Sequence, residues 1–392
     1  MNDVNKMNKQ SWILLIGILL IGASLRAPIT SVGIALPSIK ESLHLSNTSV
    51  SLITIIPLLS FAVVSLFAAK ISHRYGLERT VFGALLIILI GIALRAITDV
   101  SWLYIGTILI GVGIAFGNVL TPGIIKMNFP LRIGVMTGYY TVVMNIFGSL
   151  SSYVTAPLVK EFNYQFAISL IGVVTLIGII IWSLQLKKHK SVKQVASTDT
   201  INVWKSPLAW QITLLMGGQS LMFYSLINWL PEFLLSEGIP IHEAGLYLSI
   251  LQLAIIPLTF VTPIFAEKMN NQVALTFGTG LLFMVGILVL MFMPRSAIIG
   301  IILIGIASGL AFGLVNTFFG LRTEHAHTAA KLSGMSQAVG YLFAAIGPLG
   351  FGILHDVTHS WYASFSILLV TAGLIMFFGS QAGRNRTIEQ TL

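Results

Sequence analysis

The chain contains no cysteine. That removes disulfide scaffolds, thiolate metal sites and cysteine nucleophiles in one step. Charge is almost as scarce. Asp, Glu, Lys and Arg make up 9% of 392 residues, against about 25% in a soluble domain, so water-soluble globular enzymes are excluded as a class. Acids are the scarcer sign, 13 against 22 bases, for a formal net charge of +9. No Gly-Lys-Ser/Thr phosphate loop is present, so the chain encodes no ATP-driven step. What remains is 56% hydrophobic residues and a mean hydropathy of +0.91.

A helix crossing the hydrocarbon core needs about 20 mostly apolar residues. Twelve such runs are predicted, near 11–36, 50–69, 80–97, 102–124, 134–158, 164–186, 209–235, 244–266, 272–293, 297–320, 333–354 and 361–379. They are too long for strands and lack a dyad alternation. The first is expected to be retained as a span, because its apolar stretch is too long for a signal peptide and no small-residue cleavage site follows.

The basic residues set the expected orientation. With the N-terminus inside, Lys6, Lys9, Lys70, Arg74, Arg79, Lys126, Arg132, Lys187, Lys188, Lys190, Lys193, Lys205, Lys268, Arg322, Lys331, Arg384 and Arg386 fall in the cytoplasm. Lys40, Lys160 and Arg295 fall outside, with Arg95 at a helix end. Seventeen against four is a strong positive-inside asymmetry. Both termini are therefore expected in the cytoplasm of a multi-pass protein of the cell membrane. Topology accounts for the net charge, and no nucleic-acid partner is implied.

The longest polar stretch, Lys187 to Pro207, divides six spans from six. The expected domains are a six-helix bundle over 1–186, a cytoplasmic linker over 187–208 and a second six-helix bundle over 209–392. Two short strings recur between the halves. Gly113-Ile-Ala-Phe-Gly117 returns as Gly309-Leu-Ala-Phe-Gly313 at an offset of 196, and Ile55-Ile-Pro-Leu58 as Ile255-Ile-Pro-Leu258 at 200. The expected fold is an all-α membrane protein of two pseudo-symmetric six-helix bundles, a duplication typical of secondary transporters with the solute near the midplane. The paired glycines also read as small-xxx-small packing motifs. GVGIAFG is no dinucleotide fingerprint, since its spacing is wrong and no strand precedes it.

One ionisable residue lies deep in a run: Arg26, fourteen residues after Trp12, or about 21 Å along a helix. A charge at that depth is expensive and needs a cavity and a partner. No Asp or Glu occupies the middle of any span; Glu232, near the outer end of span 7, comes closest. Either the missing anion is a solute held by the guanidinium fork, or Arg26 binds carbonyls freed around Pro28 or snorkels outward. Neutral polar residues at similar depth form a second layer: Tyr140 and Asn145 in span 5, Gln219, Tyr224 and Asn228 in span 7, and Gln337 in span 11. They would donate hydrogen bonds to a solute, or join helices as polar glue. Trp229 or Tyr140 could wall the site.

The histidines mark no metal site. His242-Glu243 begins a zinc-protease motif, but position 246 is Leu. His325 and His327 are expected in a solvated loop. No cofactor is implied. An intramembrane enzyme would need a buried nucleophile–base pair or metal ligands at depth, and the sequence offers neither.

The loop Ala69-Lys-Ile-Ser-His-Arg-Tyr-Gly-Leu-Glu-Arg79 is similar to the loop signature of the major facilitator superfamily, with Arg74, Gly76 and Arg79 retained as its gating-loop residues. It departs where the usual Gly is Ala69 and the usual Asp is His73, so the standard gate-locking charge contact is not expected in its usual form. Leu25-Arg-Ala-Pro-Ile-Thr-Ser-Val-Gly33, His73-Arg-Tyr-Gly-Leu-Glu-Arg-Thr80, Gly218-Gln-Ser-Leu-Met-Phe-Tyr224 and Asn228-Trp-Leu-Pro231 resemble the cyanate permease/2-nitroimidazole transporter family. The resemblance implies secondary active or facilitative transport of a small anion or small polar or nitro-aromatic compound. Arg26 would be the charge anchor in an alternating-access cycle. A multispecific exporter of apolar compounds, with Arg26 structural, is the other reading. The implied partners are a small-molecule solute, the lipid bilayer and a coupling proton if transport is proton-linked, and the chain is expected to act as a monomer.

Overall fold

The computed structural model describes residues 9–45, 47–186 and 201–391. Among them lie twelve long helices: α1 Lys9–Ser42, α2 Asn47–Tyr75, α3 Leu77–Arg95, α4 Val100–Asn128, α5 Ile133–Glu161, α6 Tyr164–Leu186, α7 Pro207–Ser236, α8 Ile241–Lys268, α9 Val273–Phe292, α10 Ala297–Leu321, α11 Ala326–Thr358 and α12 Trp361–Ala382. No strand occurs among the described residues. The shortest, α3, has 19 residues, about 29 Å, close to the thickness of a hydrocarbon core. Eleven are apolar enough throughout to cross a membrane. The twelfth, α7, has the length, 30 residues, but Gln211, Gln219, Ser220 and Asn228 interrupt its apolar surface.

Local chemistry sets several helix ends. Gly76 holds α2 and α3 apart with a one-residue turn at φ 90°, a left-handed conformation that a side chain would strain. Ser206 caps α7 by accepting from the Ala209 N–H, and Pro207 opens the first turn, where a missing N–H costs nothing. α11 begins earlier than its apolar run. Ala326, Ala329 and Ala330 are strong helix formers, so the His325–His327 stretch, expected in a loop, instead opens that helix. Residues 187–200 of the expected linker lie outside the described residues. Of the remainder, Val203–Lys205 forms a single 3₁₀ turn.

The chain divides into two compact units. The first comprises Met1–Thr121 and Tyr139–Thr200, the second Pro122–Gly138 and Ile201–Leu392. The end of α4 and the start of α5 therefore pack with the second unit.

Within the first unit, Gly91 on α3 meets Gly106 on α4 so closely that a Cβ on either would lie within 2.8 Å of the other's carbonyl oxygen. Gly111 on α4 lies against Pro57 and Ser60 of α2. Within the second unit the same contacts recur, Gly286 on α9 with Gly300 on α10, and Gly305 on α10 against Leu251 and Ala254 of α8. These counterparts are 194 or 195 residues apart, not 196 or 200. At about 100° per residue, a two-residue error turns a helix by about 200°, onto its opposite face. Gly113 accordingly faces α3, at the Ala84 carbonyl, whereas Gly309 faces α8, at the Ile255 carbonyl. The recurring strings signal duplication but misstate its register.

Candidate functional site

In the first unit the polar residues gather around the middle of α1. Arg26 is half-buried there. Gly148 of α5 lies against its stem, with room for no larger residue: an added Cβ would stand 2.6 Å from Arg26 Cγ. Hydroxyls stitch the two helices together one turn on. Thr30 Oγ1 donates to the Gly148 carbonyl at 2.9 Å and lies 2.7 Å from Ser151 Oγ, while Ser152 Oγ donates to the Thr30 carbonyl at 3.4 Å. The buried Tyr140 ring covers Gly22 of α1. Its hydroxyl lies 3.5 Å from Asn118 Oδ1, near Thr121, and within electrostatic range of the Arg26 guanidinium. Asn145 is half-buried on the same helix as Tyr140. No hydrogen bond or ion pair engages the Arg26 guanidinium among the described residues.

A second arginine, placed by the sequence at a helix end, is fully buried. Arg95 has no exposed surface. Its Nε and Nη2 donate to Thr107 Oγ1 at 3.2 and 3.1 Å, and Nη1 donates to the Pro28 carbonyl at 2.9 Å. The arginine bound to the backbone at Pro28 is thus Arg95, not Arg26. It ties α3 and α4 to α1 two residues beyond Arg26. The position of Arg95 inside the third apolar run was the available signal.

In the second unit, Gln219 of α7 and Gln337 of α11 are buried at 7% and 4% exposure. Gln337 Nε2 donates to Ser333 Oγ at 2.8 Å, and its Oε1 has no partner. Tyr224 is half-buried and meets Phe223 edge to face. Asn228 is exposed. Trp229 lies in an aromatic cluster with Phe351 and Trp361, and its Nε1 donates to the Pro348 carbonyl at 2.8 Å. Gln219 and Gln337 thus offer buried amides, while the Trp229 ring and N–H are already committed to packing.

Of the gating-loop residues, Arg74 and Arg79 are exposed, and Arg74 leans over the Tyr75 ring at 5.5 Å. The corresponding junction of the second unit, 194 residues on from His73, carries an acid. Glu267 accepts hydrogen bonds from the backbone N–H groups of Ile133, Gly134 and Val135, the first turn of α5. An anion at a helix N-terminus meets unpaired donors and the positive end of the dipole. Gly134 permits this approach, since a Cβ there would lie 2.2 Å from the Pro263 carbonyl.

A buried clip closes the other end of α10. Arg322, 2% exposed, donates through Nε to the Ala382 carbonyl at 2.9 Å, and through Nη2 to the Gly383 carbonyl at 3.1 Å and to Gln272 Oε1. The Ile388 N–H returns to the Arg322 carbonyl at 2.9 Å. Burial lowers the Arg322 pKa to about 10, which leaves it charged at neutral pH. Among the described residues no cluster of three or more His, Asp or Glu could hold a metal ion.

The sequence is 42% identical to the uncharacterized transporter YycB of Bacillus subtilis (strain 168), over 97% of this chain and 96% of that one. It is 38% identical to the 2-nitroimidazole transporter of Escherichia coli (strain K12), over 97% and 98%. The cyanate transport protein CynX of the same organism is 24% identical over 93% and 95%. The fold matches a crystal structure of the transporter FucP with a TM-score of 0.75, at 12% identity, covering 95% of this chain and 99% of that one. Twelve long helices in two compact units, eleven of them apolar enough to cross a membrane, an arginine-bearing polar layer inside the first unit, and a match to the Major Facilitator Superfamily over residues 14–348 lead to one conclusion: the chain belongs to that superfamily, as a multi-pass membrane transporter of small solutes and not an enzyme.

Proposed function

We propose that the solute is a small anion or a small polar aromatic compound, carried by alternating access with Arg26 as the charge anchor. The observation that carries this reading is the unengaged guanidinium of Arg26 at the middle of α1. A charge at that depth is costly unless compensated. A bound anion compensates it, and the planar fork suits a carboxylate or a group of similar shape. Tyr140 and Asn145, on α5 of the same unit, supply neutral polar groups to orient the solute. Two relatives are named for 2-nitroimidazole and cyanate transport, both small and polar, which supports the same class.

The test is a thermal-shift screen of purified protein against cyanate, benzoate and 2-nitroimidazole, followed by affinity measurements on Arg26→Gln and Arg26→Lys. A charge-assisted hydrogen bond contributes about 1.5–3 kcal/mol, and 1.4 kcal/mol is about tenfold. Lysine keeps the charge but loses the fork, so it should weaken binding about tenfold or more, and glutamine should abolish it. Arg26→Gln should melt at or above wild type, because removing an unpaired buried charge relieves a desolvation cost, and Arg26→Lys should melt near wild type, because it leaves that charge in place. Wild-type affinity in a well-folded Arg26→Gln ends the anchor reading.

The lysine and arginine asymmetry supports cytoplasmic termini. Reporters at Lys187–Lys193 and at the C-terminus should read cytoplasmic, and a tag near Asn47 or Ser236 external; an external 187–207 refutes this. Because no carboxylate occupies the middle of a span, we infer facilitated diffusion, exchange, or symport in which the solute brings the proton. Uptake into proteoliposomes with and without a pH gradient tests it. Gradient dependence lost in Glu232→Gln would make Glu232 the relay.

A further inference from the structure

We propose that a cavity in the second unit, between the first turn of α7 and the segment following α12, binds a phosphate-bearing group, and that its occupant is the headgroup of an anionic phospholipid. The cavity has a volume of about 520 Å³, within the range of about 300–1,000 Å³ typical of small-ligand clefts. Arg384 and Arg386 line it with Gln211, Gln381, Gln390 and Thr391, and no carboxylate does among the described residues. Neither guanidinium makes a hydrogen bond or ion pair among the described residues. The nearby Glu324 is engaged by Thr387 Oγ1 at 3.0 Å and Gln390 Nε2 at 3.1 Å. Two free arginines in a concave site lined by neutral donors form a receptor for phosphate oxygens. Pro207 and Leu208 on its wall belong to the first turn of α7, whose dipole adds positive potential.

Its position selects a lipid over a soluble phosphate. The apolar span of α12 ends at Ala382, two residues before Arg384. One turn before Gln381 on the same helix, Phe377 is 60% exposed, and Leu374 is exposed as well. That apolar strip gives acyl chains a surface leading away from the cavity. Trp204 and Trp210, both exposed, pack edge to face at 5.8 Å on either side of the α7 start, and Trp210 Nε1 donates to the Trp204 carbonyl. Exposed tryptophans beside a span mark the depth of the lipid headgroups, where basic pockets between helices bind anionic lipids.

The experiment is native mass spectrometry and thermal unfolding of the delipidated full-length protein in detergent. The added probes are dioleoyl phosphatidylglycerol, dioleoyl phosphatidylcholine, glycerol 3-phosphate and inorganic phosphate, each tested separately. Phosphatidylglycerol should bind at least fivefold more than phosphatidylcholine and raise the melting temperature, with neither soluble phosphate doing so. Arg384→Gln/Arg386→Gln should lose that preference, while the charge-matched control Lys70→Gln/Lys268→Gln keeps it. Both arginines are exposed, so the double variant should fold. If it does not, Arg384→Gln and Arg386→Gln separately should each lose part of the preference. Saturable, arginine-dependent binding of a soluble phosphate without lipid preference would keep the phosphate site and overturn the lipid assignment. Equal lipid binding by the double variant and the control would overturn both.

Discussion

The two units share a scaffold and differ in where they carry charge. With counterparts 195 residues apart, Gly22 answers to Gly217, Arg26 to Leu221, Thr30 to Ser225 and Arg95 to Leu290. Gly148 presses on Arg26 as Gly347 presses on Leu221, and Gly106 on Arg95 as Gly300 on Leu290. An aromatic ring covers the α1 glycine and the α7 glycine alike, but Tyr140 brings a hydroxyl where Phe343 brings none. At the α2–α3 and α8–α9 junctions the asymmetry reverses: the first unit has His73, the second Glu267. Packing of small residues can therefore be duplicated without duplicating chemistry. The two inward-facing arginines, Arg26 and Arg95, belong to one unit and the acid that caps α5 to the other.

Substituting the residues that differ between the units probes that asymmetry. Arg26→Leu should have the largest effect, with solute binding falling beyond detection while melting temperature holds. Affinity and unfolding measured on one preparation check this. Arg95→Leu with Thr107→Ile, which copies Leu290 and Ile301, should come next. The double change removes a buried charge together with its main acceptor, so the melting temperature should stay near wild type. The Pro28 carbonyl loses its anchor, and solute affinity should fall about three- to tenfold, because 1 Å of misplacement is expensive in a preorganised site. A lower melting temperature with unchanged affinity would make Arg95 a purely structural residue. Glu267→Gln should follow. Losing an anion at a helix N-terminus costs about 0.3–2 kcal/mol, so amide exchange at Ile133–Val135 should accelerate by about two- to thirtyfold by hydrogen-exchange mass spectrometry, with exchange in α12 unchanged. Tyr140→Phe should be the mildest. It removes one hydroxyl with a long, weak hydrogen bond, and a two- to threefold loss of affinity by titration is the expected outcome.

The helices were legible because each is a long apolar run, and the boundaries slipped where small residues extend a helix beyond its apolar part, as at Ala326. Arg26 was legible because it interrupts a run near its centre. Arg95 was not, because distance from the end of a run measures depth along a helix and says nothing of what surrounds it. Glu267 was hidden for a different reason: its partners are backbone N–H groups more than a hundred residues away, which no side-chain pattern advertises. The polar residues of α7 show the limit of composition. Gln219 and Asn228 send the same signal, yet one is buried and the other exposed, since nine positions rotate the second onto a different face.

The Arg322 clip has a consequence for how the protein is made. Its carbonyl acceptors at Ala382 and Gly383 and its backbone partner Ile388 follow it by some sixty residues. While the chain is being synthesised, the start of α9, the end of α10 and a buried-to-be guanidinium must wait for α12 to arrive. A ribosome stalled before residue 382 would leave that cation facing carbonyls that do not yet exist, and cells degrade chains that expose such a defect. The clip therefore closes only on a chain translated through its twelfth helix.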